Sequence, residues 1–258
     1  MSYVGTKDYL LEVAKGNISG TSWVNKFGRN AAVSTSLEDI WDGSSIWVAP
    51  TQARGHTISS TVAGDSAVSG TGARTIQIYG LTGWDQTETT ETLSLAGTSA
   101  VYTVENYVII HRMKVLTKGT IAGGTSSNIG TITAQALTDQ TVTAQISPGR
   151  GQTLMAIYGI PSTKTAYMTA WEAAQNRTGV GVTVATDVTL VVNPEPDAQL
   201  LHYINKHTMS LFGSGTTVIQ HQFAPYFKIP GPAIVKVQAI GSAAADIDAG
   251  FDMIIVDN

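Results

Sequence analysis

Cysteine is absent from this chain, which excludes disulfides, thiolate metal sites and cysteine nucleophiles at the outset. Charge is scarce as well: Asp, Glu, Lys and Arg make up 13% of the residues, about half the usual share. Polarity comes instead from hydroxyls, since Ser and Thr together form roughly a fifth of the sequence. Such neutral faces protect a protein only weakly against association, and β-branched Thr suits a half-solvated pleated surface better than a helix. Basic clusters are missing too. Lys and Arg stand singly and the formal net charge is -4, whereas binding to phosphate backbones needs grouped cations that release counterions, so no nucleic-acid partner is expected. No apolar run reaches the roughly 18 residues of a membrane span, and residues 1–11 lack the apolar core of a signal peptide. A chain made in a cytoplasm, with no membrane partner, is the expectation.

Hydrophobic residues are nonetheless 43% of the 258 positions, enough for one large β-fold or two domains of about 100 residues each. Three of the five tryptophans, Trp23, Trp41 and Trp47, fall near the N-terminus, in a segment without sustained periodicity. Large rings without a core of their own need another surface. The segment therefore reads as an N-terminal arm, residues 1–54, packed on its own subunit or on a neighbour, with Trp23, Phe27, Arg29, Trp41 and Trp47 as candidate assembly contacts. Short helices are expected at residues 8–15, ending at Gly16, and at residues 35–43, where Thr35 and Glu38 have capping-box spacing. The stretch 21–30 between them reads as irregular chain. On this reading, deleting residues 1–50 leaves the remainder folded and abolishes assembly.

From His56 onward the pattern is strand-like. Arg74-Thr75-Ile76-Gln77-Ile78-Tyr79-Gly80 alternates with period two, and similar segments recur between Gly, Asn and Ser turns. The Gly/Ser-rich stretch 121–128 reads as a loop, and Pro148-Gly149-Arg150-Gly151 as the main internal boundary. About eight candidate strands follow it, the number a jelly roll needs, with the last, residues 250–256, inside the sheet. No amphipathic run separates the strands as a parallel α/β fold requires. The expected fold is all-β and antiparallel: a β-sandwich over residues 55–149 and a jelly-roll-like second sandwich over residues 150–258, or one larger continuous sandwich.

Motifs for chemistry are thin. His202 and His207 lie five apart and His111 and His221 stand singly, a pattern without metal-ligand spacing. Asp246 and Asp248 before Gly250 faintly resemble a calcium loop but lack a downstream bidentate Glu. Ser214 is not in a nucleophile elbow, and the glycines from 119 to 124 precede no Lys-Ser/Thr pair. Glu88 and Glu91, three apart in a strand, point to opposite faces. No catalytic residue, metal or cofactor is assigned. Two tryptophans, Trp84 in the segment 81–86 and Trp171 in the segment 171–178, are candidate loop residues for stacking on a sugar.

Four phrases carry a resemblance: Gly20-Thr21-Ser22-Trp23-Val24-Asn25-Lys26-Phe27-Gly28-Arg29-Asn30, Gly70-Thr71-Gly72-Ala73-Arg74-Thr75-Ile76, Asn128-Ile129-Gly130-Thr131-Ile132, and Ala249-Gly250-Phe251-Asp252 with Val256-Asp257-Asn258. Together the chain resembles a family of virion structural proteins of tailed bacteriophages, common in marine and cyanobacterial phages. The resemblance covers nearly the whole chain and implies a non-enzymatic β-rich subunit of a capsid or tail, assembled in the host cytoplasm. Its implied partners are further copies of itself, with a trimer as the expected symmetry, and other virion proteins such as the major capsid protein. The competing expectation is a receptor- or carbohydrate-binding module that presents its loops to a host surface glycan.

Overall fold

The computed structural model describes residues 8–43, 45–120, 127–176, 182–198 and 202–258. Apart from a helix α1 (Tyr9–Ala14), capped by the Asp8 carboxylate, and a 3-10 turn at Pro196–Ala198, its regular elements are strands. The first two are β1 (Thr21–Val33) and β2 (Glu38–Asp39). Seven follow: β3 (His56–Ser60), β4 (Ala73–Leu81), β5 (Thr89–Ser94), β6 (Val101–Tyr102), β7 (Ile109–Lys118), β8 (Ile132–Ala136) and β9 (Val142–Ile146). The remainder are β10 (Ile157–Ile160), β11 (Lys164–Gln175), β12 (Val184–Asn193), β13 (Ile204–Gly213), β14 (Thr217–Pro230), β15 (Ala233–Gly241) and β16 (Ala245–Asp257). Every ladder among them is antiparallel, so the all-β class read from alternation holds.

Two cores organise the strands. One lies between a sheet ordered β1-β16-β11-β14 and a sheet ordered β10-β15-β12-β13, and it includes Met168, Trp171, Val188, Leu190 and Phe251. The other joins the sheets β6-β3-β8-β9 and β5-β4-β7 through Ile58, Ile76, Ile78, Ile110 and Ile132. Ile157 of β10 and Ile234 of β15 belong to this second core. They sit on the outer face of their own sheet, and β15 is consequently buried on both faces along nearly its whole length. That accounts for its almost unbroken apolar run.

The pairing in the first pair of sheets is nested: β1 with β16, β10 with β15, β11 with β14, and β12 with β13. β1 is therefore the outermost leg of a rolled-up ladder whose other legs all lie after residue 156. The strands β3–β9 form an insertion between its first and second legs. This corrects the expectation of an irregular arm. Residues 21–33 form a 13-residue strand in register with β16, from Thr21 opposite Val256 to Asn30 opposite Ile247. The period was hidden because the inward positions are Lys26, Gly28 and Asn30, all buried, while the large rings of Trp23 and Phe27 alternate onto the other face. Gly28 is required there, since a Cβ would stand 2.2 Å from Ile40 O and 2.3 Å from Ala156 N.

The helix expected over residues 35–43 is absent as well. Glu38 does reach back, but it accepts from Ser34 N, Ser34 Oγ and Asn30 Nδ2 in a turn, and Glu38–Asp39 pairs with β15. Trp41 and Trp47 are not assembly contacts. Both are buried in the second core of their own chain, Trp47 at 1% exposure with its indole N–H donating to Thr143 O at 2.7 Å. A buried indole of this kind contributes roughly 2 kcal/mol or more. The loop expected at 121–128 falls largely outside the described residues.

Two outcomes test this account. Deleting residues 8–20 should leave the cooperative thermal transition close to that of the full chain, whereas deleting residues 8–33 should abolish it by circular dichroism, because β16 loses its partner over the core. Gly28→Ala should lower the unfolding free energy by about 2 kcal/mol in urea denaturation; an unchanged midpoint would contradict the close approach of β1 to Ile40 and Ala156.

Candidate functional site

The seam between the two halves is where titratable groups gather. Strand alternation turns Lys26 of β1 inward, toward β7 of the insertion, where its ammonium donates to the carbonyl of His111. The neighbouring Arg112 guanidinium reaches the other way and donates to Asn25 O at 2.6 Å. The His111 ring packs against Tyr158 of β10, with centroids 4.4 Å apart, and its Nε2 lies 2.6 Å from Glu88 Oε2. Nδ1 of His111 is buried without a partner among the described residues. The consistent tautomer is neutral, with Nε2–H donating to the Glu88 carboxylate. These groups, with Trp23, Asn25 and Tyr79, line a cavity of about 160 Å³.

The electrostatics follow from burial. Burial, then the Arg112 charge, holds the Lys26 ammonium well below its ordinary value, against the pull of Glu88. Burial likewise lowers His111, opposed by its bond to Glu88. For Glu88 burial acts upward, but the His111 bond and the nearby cations outweigh it and the carboxyl is held low. The Tyr158 hydroxyl is pushed up by burial and then by Glu88. The site therefore gathers a carboxyl, a guanidinium, the Lys26 amine and an imidazole whose proton affinity burial lowers.

A second node lies below the seam. Lys236 Nζ of β15 stands 2.8 Å from Asp39 Oδ2, both fully buried, and Trp47 N–H donates to the same oxygen at 2.6 Å. The Tyr203 ring covers the ammonium at 4.0 Å. Burial raises the Asp39 carboxyl and lowers the Lys236 amine. Removing one partner of such a pair would strand a buried charge, so the node pins the segment that carries the chain from β1 into the insertion.

Of the tryptophans expected in ligand loops, Trp84 borders a cleft of about 360 Å³ between the halves, walled by Val48, Pro50, Val108, Pro196 and Ile234. Trp171 is a correction: it lies in β11 at 1% exposure, its indole donating to His207 Nδ1 at 3.2 Å, and residues 177 and 178 of that segment lie outside the described residues. The acidic residues of the calcium-like spacing lie in a strand. Asp246 and Asp248 are in β16, where Arg29 stands 2.5 Å and 4.0 Å from their carboxylates and Asn176 donates to Asp248. Arg29 thus holds two carboxylates of its own chain, and its hydrogen bond keeps Asp246 low. Among the described residues no three His, Asp or Glu side chains gather as a metal site. Sequence reasoning missed Lys26, Arg112 and Tyr158 because nothing local distinguishes them, and it weighed Glu88 only against Glu91; the approach of β1 and β10 to β7 is what brings the four together.

At the far side of the nested sandwich, β13 and β14 each have a strand on one side only among the described residues. His207 of β13 and His221 of β14 stack at 4.2 Å, with Phe223 edge-on at 4.7 Å from His221 and Phe227 5.6 Å from Phe223. Burial, then the neighbouring His221, lowers His207. Outside this mouth Phe212 is 70% and Val218 64% exposed, with Ile204 and Tyr226 also open to solvent.

His56 provides a pH test of this framework. Its Nδ1 lies 3.0 Å from Arg54 O while Nε2 is buried without a partner among the described residues, and burial lowers its pKa to about 4. A depressed histidine pKa means that the unfolded chain takes up the proton first as the pH falls through about 6.5. Stability should then drop by roughly 3 kcal/mol between about pH 6.5 and 4 from this group, and His111 acts in the same direction. Urea midpoints over that range check it; His56→Gln should flatten part of the slope, and a wild-type profile without slope would refute it.

No family model matches the chain, and no curated protein matches it. Among solved structures the chain is similar to the tandem CBM22-1-CBM22-2 domains of Paenibacillus barcinonensis Xyn10C, with 8% identity over 93% of both chains and a TM-score of 0.23. It is also similar to the T=1 particle derived from infectious bursal virus, with 9% identity, 93% of this chain and 70% of that one covered, and a TM-score of 0.22. Likeness at this level falls short of a shared fold and carries no functional inference.

Proposed function

We propose that the protein is a non-enzymatic structural subunit of a bacteriophage virion, a capsid decoration or tail-associated block that functions as an oligomer of itself alongside other virion proteins. The observation that carries this reading is the asymmetry of the nested sandwich. Its β1–β10 side meets the insertion through Lys26, Arg112 and Tyr158, and its β13–β14 side is left open with Ile204, Phe212, Val218 and Tyr226 exposed. Long edge strands bearing apolar side chains are association surfaces unless blunted. Here the blunting residues are few: Lys206 in β13, and Pro225, Lys228 and Pro230 in β14. Such an edge suits a subunit that is covered in its working state. The nested pairing, which is the connectivity of a jelly roll, and the resemblance of the Trp23 phrase to virion proteins of tailed phages support the same reading.

Multi-angle light scattering on the intact chain tests it. The expected result is a closed oligomer, a trimer by the symmetry proposed, that dissociates in the Phe212→Lys, Val218→Lys double variant while the thermal transition stays within a few degrees of wild type. A strict monomer at about 100 μM, well above the Kd of a specific interface, would refute it.

A further inference from the structure

The seam cavity has the composition of a ligand site as well as of a joint. Several polar groups there have capacity that the fold does not use. Glu88 commits Oε2 to His111, and its Oε1 has no partner among the described residues, with the side chain 40% exposed. Arg112 commits only Nη2, to Asn25 O. The Tyr158 hydroxyl has no hydrogen-bond partner among the described residues, and Tyr158 lines the cavity. Around them stand the indole of Trp23, 38% exposed, and the ring of Tyr79.

We propose that this cavity binds one neutral pyranose unit of a glycan. Hydrogen-bonding capacity selects the class: Lys26 is turned to a backbone carbonyl, and Glu88 Oε1 with the uncommitted nitrogens of Arg112 offers an acceptor beside donors, a set that neutral hydroxyls, which donate and accept, satisfy on both sides. A carboxylate accepts two hydroxyl protons and a guanidinium donates along a planar fork, which together read vicinal hydroxyls. Trp23 and Tyr79 line the same cavity and supply apolar area for the C–H face of the ring at little entropy cost. Size selects the extent: about 160 Å³ holds a single ring and is smaller than the pockets of about 300 Å³ and above that enclose drug-sized molecules. The rest of the glycan would extend into solvent past Trp23. This site is distinct from the Trp84 cleft, whose walls are largely apolar. It is also independent of the assembly reading, because it lies at the opposite side of the sandwich from β13 and β14.

The test uses the full-length protein with methyl glycosides of glucose, galactose, mannose and N-acetylglucosamine, and with glucuronic acid and glucosamine as charged comparators, by saturation-transfer NMR and calorimetry. One or more neutral sugars should bind with a Kd of about 1 mM or tighter. Glu88→Gln and Trp23→Ala should each weaken that binding by about tenfold or more. Tyr158→Phe, which removes only a hydroxyl, should weaken it with the thermal transition retained, a control that separates recognition from the structural role of the seam. Absence of binding by every neutral sugar overturns the proposal, as does binding that all three variants leave unchanged, or tighter binding of either charged sugar.

Discussion

The antiparallel pairing of β1 with β16 is the contact on which the rest of this molecule depends. It joins the beginning of the described chain to its end, so the ladder closes only when residues more than 200 apart in sequence meet, from Thr21 with Val256 to Asn30 with Ile247. Loop-closure entropy opposes such a contact and local propensity cannot supply it. What compensates is burial: β16 lies between β1 and β11, and its inward residues Ile247, Phe251, Met253 and Ile255 complete the first core.

Once β1 is in the sheet, the geometry of the seam follows. Its inward residues are chosen for approach and polarity rather than for apolar volume. Gly28 lets the backbone come up to Ile40 and Ala156, Asn30 ties to Glu38 and Asp39, and Lys26 spans to the carbonyl of His111. A buried ammonium is costly unless it is hydrogen-bonded, and desolvation has already weakened its hold on the proton. The Lys236–Asp39 pair fixes the crossing segment on the other side of β15.

The same nesting produces the asymmetry of the block. The insertion occupies the side formed by β1 and β10, and the strands paired last, β13 and β14, are left as edges with His207, His221, Phe223 and Phe227 filling the mouth between them. A surface with so little charge is only weakly protected against association. The hydroxyl-rich composition and the open edge are the two features, one in sequence and one in space, on which the proposed assembly rests.

The sequence by itself determined the class of structure. Alternation in segments such as residues 74–80 and 184–190 is local and points to antiparallel strands wherever one face is buried, and the absence of cysteine and of basic clusters bounds the chemistry before any folding. Tertiary structure alone decided that residues 21–33 are a strand, because their inward positions are Lys26, Gly28 and Asn30 and carry no hydrophobic period. It alone placed Trp41, Trp47 and Trp171 in cores while leaving Trp23 at the mouth of a cavity. Glu88, His111, Arg112 and Tyr158 look like unrelated residues along the chain, and they become a site only where β1 and β10 meet β7. The physical reason is the same in each case: a strand's periodicity records which face is buried, but which distant strand it pairs with is decided by long-range packing that no local pattern records.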